Sequence, residues 1–165
     1  MCEMTELRDA LKLSLTSEIL ASGGRARLRA FGSSMLPTLW PGDILTIESA
    51  PLQTLAPGDI VLASRGQSCF VHRVVEKIDC GGLFRWVTRG DAMPQSDPPV
   101  AASDLLGRVS LIQRQHRIII PNRRLSPAVR LLAWMLCHWD GLRRVSLRMY
   151  SLRQSPDPQV CGVIS

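Results

Sequence analysis

Apolar positions along the chain change period three times, and each change predicts a different kind of element. From Thr5 to Ala21, Leu7, Leu11, Leu15 and Ile19/Leu20 recur at helical spacing until Gly23-Gly24 interrupts them. This predicts an amphipathic helix. At Arg25 the period becomes two, with Ala26, Leu28 and Ala30 alternating with Arg25, Arg27 and Arg29 as in a half-buried strand. Short β-type runs follow at Asp43–Glu48, Asp59–Ala63, Cys69–Ile78, Leu83–Arg89 and Leu105–Ile112, with Arg117–Ile120 as a further one. Pro57-Gly58, Arg65-Gly66, Gly81-Gly82 and the proline-rich Met93–Pro99 punctuate them. Repeated strands with no helices between them predict a compact, mainly β (α+β) core.

After Pro121 the pattern is helical again. Ser126 is a good N-cap and Pro127 a good first helical residue, ahead of the apolar Ala128–Trp139. Asp140-Gly141 predicts a break or kink before a second piece reaching about Tyr150. The expected organisation is an N-terminal helix (1–24), a β domain (25–121), a basic helical arm (122–150) and a loose tail (151–165).

Charge divides the chain unevenly. Residues 1–113 carry 11 Lys/Arg and 12 Asp/Glu, whereas residues 114–165 carry nine arginines and two acids, so the net +6 belongs to the C-terminal third. An arginine-rich arm containing Trp134 and Trp139 suits either packing on the core or a partner, or peripheral contact with anionic lipid through residues 125–150. No nucleic-acid module accompanies it, and no nucleic-acid partner is expected. Leu131–Trp139 is too short to span a bilayer, and with Glu3, Glu6, Asp9, Lys12 and Glu18 among the first 20 residues no secretory signal is expected. The expected location is cytoplasmic, with peripheral attachment to the membrane face as its variant. Five scattered cysteines without a C-x-x-C pair suggest neither a disulfide framework nor a metal site, and no cofactor is expected.

The chemistry lies in FGSSMLPTLWPGD, Phe31–Asp43, which has neither period. Ser34 follows a strand in a loop stiffened by Pro37 and Pro41. His72 sits within the strand FVHRVV, on the same face as Phe70 and Val74, and Asp91 and Asp97 follow the next strand in TRGDAMPQSD. A serine nucleophile needs a base to take its proton, a group to orient that base and donors for the oxyanion. Taken singly, these residues also suit a turn serine, a sheet histidine and two capping acids.

Together they resemble type I signal peptidases. GSSMLPTLWPGD resembles the nucleophile box, PGDIV (Pro57–Val61) the second Gly-Asp strand, and VHRVV (Val71–Val75) the base-bearing strand. TRGDAMPQSD (Thr88–Asp97) resembles the next box and LLGRV (Leu105–Val109) the closing strand. The boxes occur in family order over about residues 26–112. Histidine in place of the commoner lysine resembles the archaeal and endoplasmic-reticulum branch, and the core fold is shared with the self-cleaving repressors of the SOS response.

The resemblance implies Ser34 as nucleophile, His72 as general base and Asp97 as orienting acid, with Asp91 in a supporting role or as the fallback acid. It implies the Ser34 backbone N–H as oxyanion donor, with Ser33 as a second candidate, and Met35 and Pro37 beside the substrate. It further implies a protein or peptide substrate, such as a pre-protein or precursor peptide, paired as an extended segment with a strand edge. The family usually has an N-terminal transmembrane helix and, in many lysine-type members, a serine where this chain has Gly32. The rival readings are cytosolic processing of a modified precursor peptide, and a self-cleaving or inactive peptide-binding module. For self-cleavage, Ala21–Gly24 offers a candidate segment.

Overall fold

In the computed structural model, residues 14–66, 68–138, 146–150 and 163–164 are described. A nine-stranded sheet dominates them, with a few short helices at its margins, so the mainly β, α+β class holds. Its strands are β1 (Arg25–Ala30), β2 (Ile44–Glu48), β3 (Ile60–Arg65), β4 (Ser68–Asp79), β5 (Phe84–Arg89), β6 (Val100–Ala101), β7 (Leu105–Arg114), β8 (Arg117–Ile119) and β9 (Val163–Ile164). They are ordered β6-β5-β4-β3-β7-β2-β1-β9, and β8 pairs with β7. Every described pairing is antiparallel except β1 with β9.

Alternation sets the faces. In β1 the arginines point outward or lie at the margin, while Ala26, Leu28 and Ala30 are buried, and in β2 Leu45 and Ile47 are buried. These residues join Ile60, Leu62, Val71, Val109 and Ile112 in the main core. A smaller cluster of Leu55, Val61, Val74 and Trp86 occupies the other face. Burial of such side chains supplies the main driving force, roughly 1.5–3 kcal/mol for each large aliphatic residue.

Three β-bulges bend the sheet. The one in β4, between Val74 and Glu76, lies just past His72. It sets Thr88 of β5 opposite Val74, so Thr88 shares the face of His72.

Helix α1 (14–21) is the described part of the N-terminal helix, whose earlier turns fall outside the described residues. It ends at Gly23, whose φ is +79°, with Gly24 N–H donating to the carbonyl of Ile19. Its buried side chains are Thr16 and Leu20, while Leu15 and Ile19 are exposed. The expected stripe is thus rotated by one position: the turn at Gly23-Gly24 brings Leu20, and not Leu15, down onto β1 and β2.

Helix α2 (Pro127–His138) begins as expected, with Ser126 Oγ accepting from the Val129 N–H at 3.4 Å. The Asp140-Gly141 break lies outside the described residues. A further turn, α3, covers residues 146–150. Ala133 and Leu136 are the buried residues of α2, and Leu136 packs with Leu36, Ala92, Trp40 and Leu147. The arm and the Ser34 loop therefore share one apolar cluster. No helix among the described residues is long and apolar enough to cross a membrane.

Within residues 151–165, only Val163–Ile164 is described, as paired backbone lying parallel to β1. Like β6, this strand has two residues, which is too short to show a period in sequence.

Candidate active site

The loop between β1 and β2 carries Ser34 over the end of the sheet. Ser34 accepts at its carbonyl from the Ala92 N–H, at 2.8 Å, so this loop is tied to the one after β5. Gly90 permits the approach: a Cβ there would lie 2.6 Å from the same carbonyl oxygen. Leu36 and Leu39 anchor the loop in two apolar clusters, and Trp40 Nε1 donates to the Pro37 carbonyl at 2.9 Å.

His72 lies in the middle of β4, between hydrogen-bonded neighbours, with Val61 opposite it on β3. Its Nε2 is 3.1 Å from Ser34 Oγ, and its Nδ1 is 2.6 Å from Asp97 Oδ2. Asp97 is held from two directions. Its N–H donates to the Thr88 carbonyl at 2.8 Å, and the Thr88 hydroxyl donates to the same Oδ2 at 2.7 Å. His72 and Asp97 side chains are mostly buried, 12% and 18% exposed, so the hydrogen bond between them is only partly screened by water. A carboxylate can only accept, so Nδ1 carries the proton and Nε2 keeps a lone pair for the Ser34 hydroxyl.

Asp91 has a different setting. Arg73, on the opposite face of β4 from His72, grips it through Nε and Nη2, each at 2.8 Å. Thr38 Oγ1 also donates to Asp91. Arg73 Nη1 reaches the carbonyls of Gly58 and Asn122, at 2.7 and 3.0 Å. The pair is buried, with side chains 8% and 4% exposed. It fastens the Ser34 loop, the Gly58 turn and the Asp91 loop to one another. A second pair supports the far end of the Ser34 loop: Arg114 binds the fully buried Asp43 through Nε and Nη2, and also the Thr38 carbonyl.

The structure brings Ser34, His72 and Asp97 into one chain of hydrogen bonds and keeps Asp91 on its arginine. Met35 is buried and lines a small hollow beside Ser34, together with Ala30, Gly32, Leu39 and Val71. Pro37 is half-buried and is not among the hollow's lining residues. Ser33 is half-buried and its carbonyl accepts from Leu36 N–H at 3.3 Å. Gly32 has φ +78°, a left-handed conformation that disfavours any side chain, so a serine at this position would be strained by the backbone itself.

Sequence reading missed Thr88 as a partner of Asp97 and Ala92 as the tie to Ser34. The alternation of β5 placed Thr88 on a definite face, but its being opposite Val74 depends on the bulge. Among the described residues no cluster of His, Cys, Asp and Glu is arranged to hold a metal ion. No protein-family model, curated protein or solved structure matches this chain.

Proposed function

We propose that this chain is a serine endopeptidase of the signal-peptidase type, with Ser34 as nucleophile, His72 as general base and Asp97 as the acid that orients the base. One observation carries the reading: Ser34 Oγ, His72 and Asp97 are linked in order by contacts of 3.1 and 2.6 Å. The order and content of the five sequence boxes support the same superfamily and its core fold.

In this reading His72 Nε2 takes the Ser34 proton as Oγ attacks a peptide carbonyl. The negative charge that develops on that carbonyl oxygen is met by the Ser34 backbone N–H. Asp97 stabilises the imidazolium, which then gives its proton to the leaving amine as the C–N bond breaks. Water, activated by the same histidine, attacks the acyl-serine and releases the second product. Thr88 holds Asp97 in line, and Arg73 with Asp91 holds the loops.

The substrate is a pre-protein or precursor peptide presented as an extended segment. Leu131, Leu132 and Trp134 are exposed on α2 beside exposed Arg124 and Arg130, and this supports peripheral contact of the arm with anionic lipid. The test is incubation with a peptide library and mapping of cut sites by mass spectrometry. Ser34→Ala and His72→Ala are expected to abolish every cut made by the wild type. Cutting by Ser34→Ala at the wild-type rate would overturn the proposal.

A further inference from the structure

Strand β9 resembles a bound peptide. Like β6 it is two residues long and stands at an end of the strand order, but it is the sole parallel partner among the described strands. No hairpin ties it to β1. More than a hundred residues separate the paired positions Arg29 and Val163, and Ala30 and Ile164. Parallel pairing is slightly weaker per residue than antiparallel pairing, so two such residues add little to the stability of the sheet. Their place is more telling than their strength.

Among the described strands, removing β9 would leave β1 as a free edge, with its outward N–H and C=O groups open to pairing. Such an edge is where an extended peptide adds as a strand. Here the edge leads straight to the nucleophile. Ala30, opposite Ile164, lines the hollow that also contains Ser34, and Ser34 follows it by four positions. Because β9 runs parallel to β1, it runs toward the Ser34 loop. Its Cα atoms also come within 8 Å of β4, the strand that carries His72. The segment therefore lies beside the nucleophile's strand and close to the base's strand at once, where a substrate would lie.

We infer that the chain's own Val163–Ile164 segment occupies the outer edge of β1 as an internal competitor for an extended peptide there. The inference rests on the peptidase reading for its consequence, but not for the occupancy itself. A tether confers an effective concentration in the millimolar range, and a two-residue strand whose own Kd is about one tenth of that concentration would be about 90% docked. A substrate must displace it, so KM is raised about tenfold while kcat is unaffected.

The test uses full-length chain carrying Val163→Pro and Ile164→Pro, which remove backbone donors at β9, with a second variant ending at Pro158. In a Ser34→Ala background, a fluorescein-labelled peptide with the sequence of Gln159–Ser165 is titrated by anisotropy, and hydrogen exchange is followed across residues 25–31. Both variants are expected to bind the peptide about tenfold more tightly than the unaltered tail permits, and to lose protection along β1 until peptide is added. Equal affinity with and without the tail, or β1 protection unchanged in both variants, overturns the inference. Protection that falls when the intact chain is diluted also overturns it, since the occupant would then be a second copy.

With Ser34 present, KM for a cleaved library peptide should fall about tenfold in both variants at constant kcat. If binding changes as expected but no form cuts any peptide, the peptidase reading fails and the occupied edge stands.

Discussion

The two aspartates after β5 have separable tasks. Asp97 meets His72, whereas Asp91 balances the buried Arg73 guanidinium. Asp97→Asn keeps the shape but offers an amide where the imidazole N–H needs a carboxylate. It should lower kcat by roughly 10³–10⁴-fold with little change in the denaturation midpoint. Asp91→Asn leaves Arg73 buried without its counter-charge and should cost about 3–5 kcal/mol, read from urea unfolding. Equal stability of the two variants would count against this division. Thr88 acts one bond further out. Thr88→Val preserves shape while removing the hydroxyl donor to Asp97, and a loss of about tenfold in kcat/KM is expected, in line with one charge-assisted hydrogen bond. Away from the site, burial pushes the Cys69 thiol up to about 11, whereas Cys80 is exposed. Alkylation at pH 8 should therefore label Cys80 well before Cys69, as peptide mapping would show, because the thiolate is the reactive form.

At the scale of elements, the Ser34 loop depends on a helix far away in sequence. Leu136 of α2 is 1% exposed and packs on Leu36 and Ala92, and Ala92 holds the Ser34 carbonyl. Leu136→Ala is expected to cost about 2–5 kcal/mol by thermal or urea unfolding and to reduce cutting by the surviving folded protein. Strands of five residues or more were legible because their alternation gives each residue a face, and the N-cap at Ser126 was legible from local chemistry. The two-residue β6 and β9 were not, since their pairing depends on partners elsewhere in the chain. The rotation of α1 escaped as well: Leu15 and Leu20 fit the spacing equally, and only the turn into β1 chooses between them. In the candidate site, Ser34, His72 and Asp97 were legible through the order of their boxes. Thr88 and the Arg73–Asp91 clasp depend on strand register and loop docking, which carry no period.

For the whole molecule, the charge imbalance and the arm belong together. Positive charge is concentrated after residue 113, and α2 turns Ala133 and Leu136 inward while Leu131 and Trp134 face outward. Flotation with vesicles containing anionic phosphatidylglycerol is expected to carry the protein upward at low salt. Leu131→Glu with Trp134→Glu should release it without unfolding, since neither side chain is in the core. Retention of that double variant on the vesicles would remove the arm from the membrane-contact proposal.

The proposed triad draws on the loop after β1, the middle of β4 and the loop after β5, and α2 completes the packing under the Ser34 loop. A chain emerging from the ribosome exposes Ser34 long before Asp97, and Asp97 before Leu136. Until the sheet has closed, the serine is an ordinary alcohol with no base beside it. If the proposed peptidase reading holds, a nascent chain would have no means of cutting its neighbours, and competence would arrive only with the finished fold.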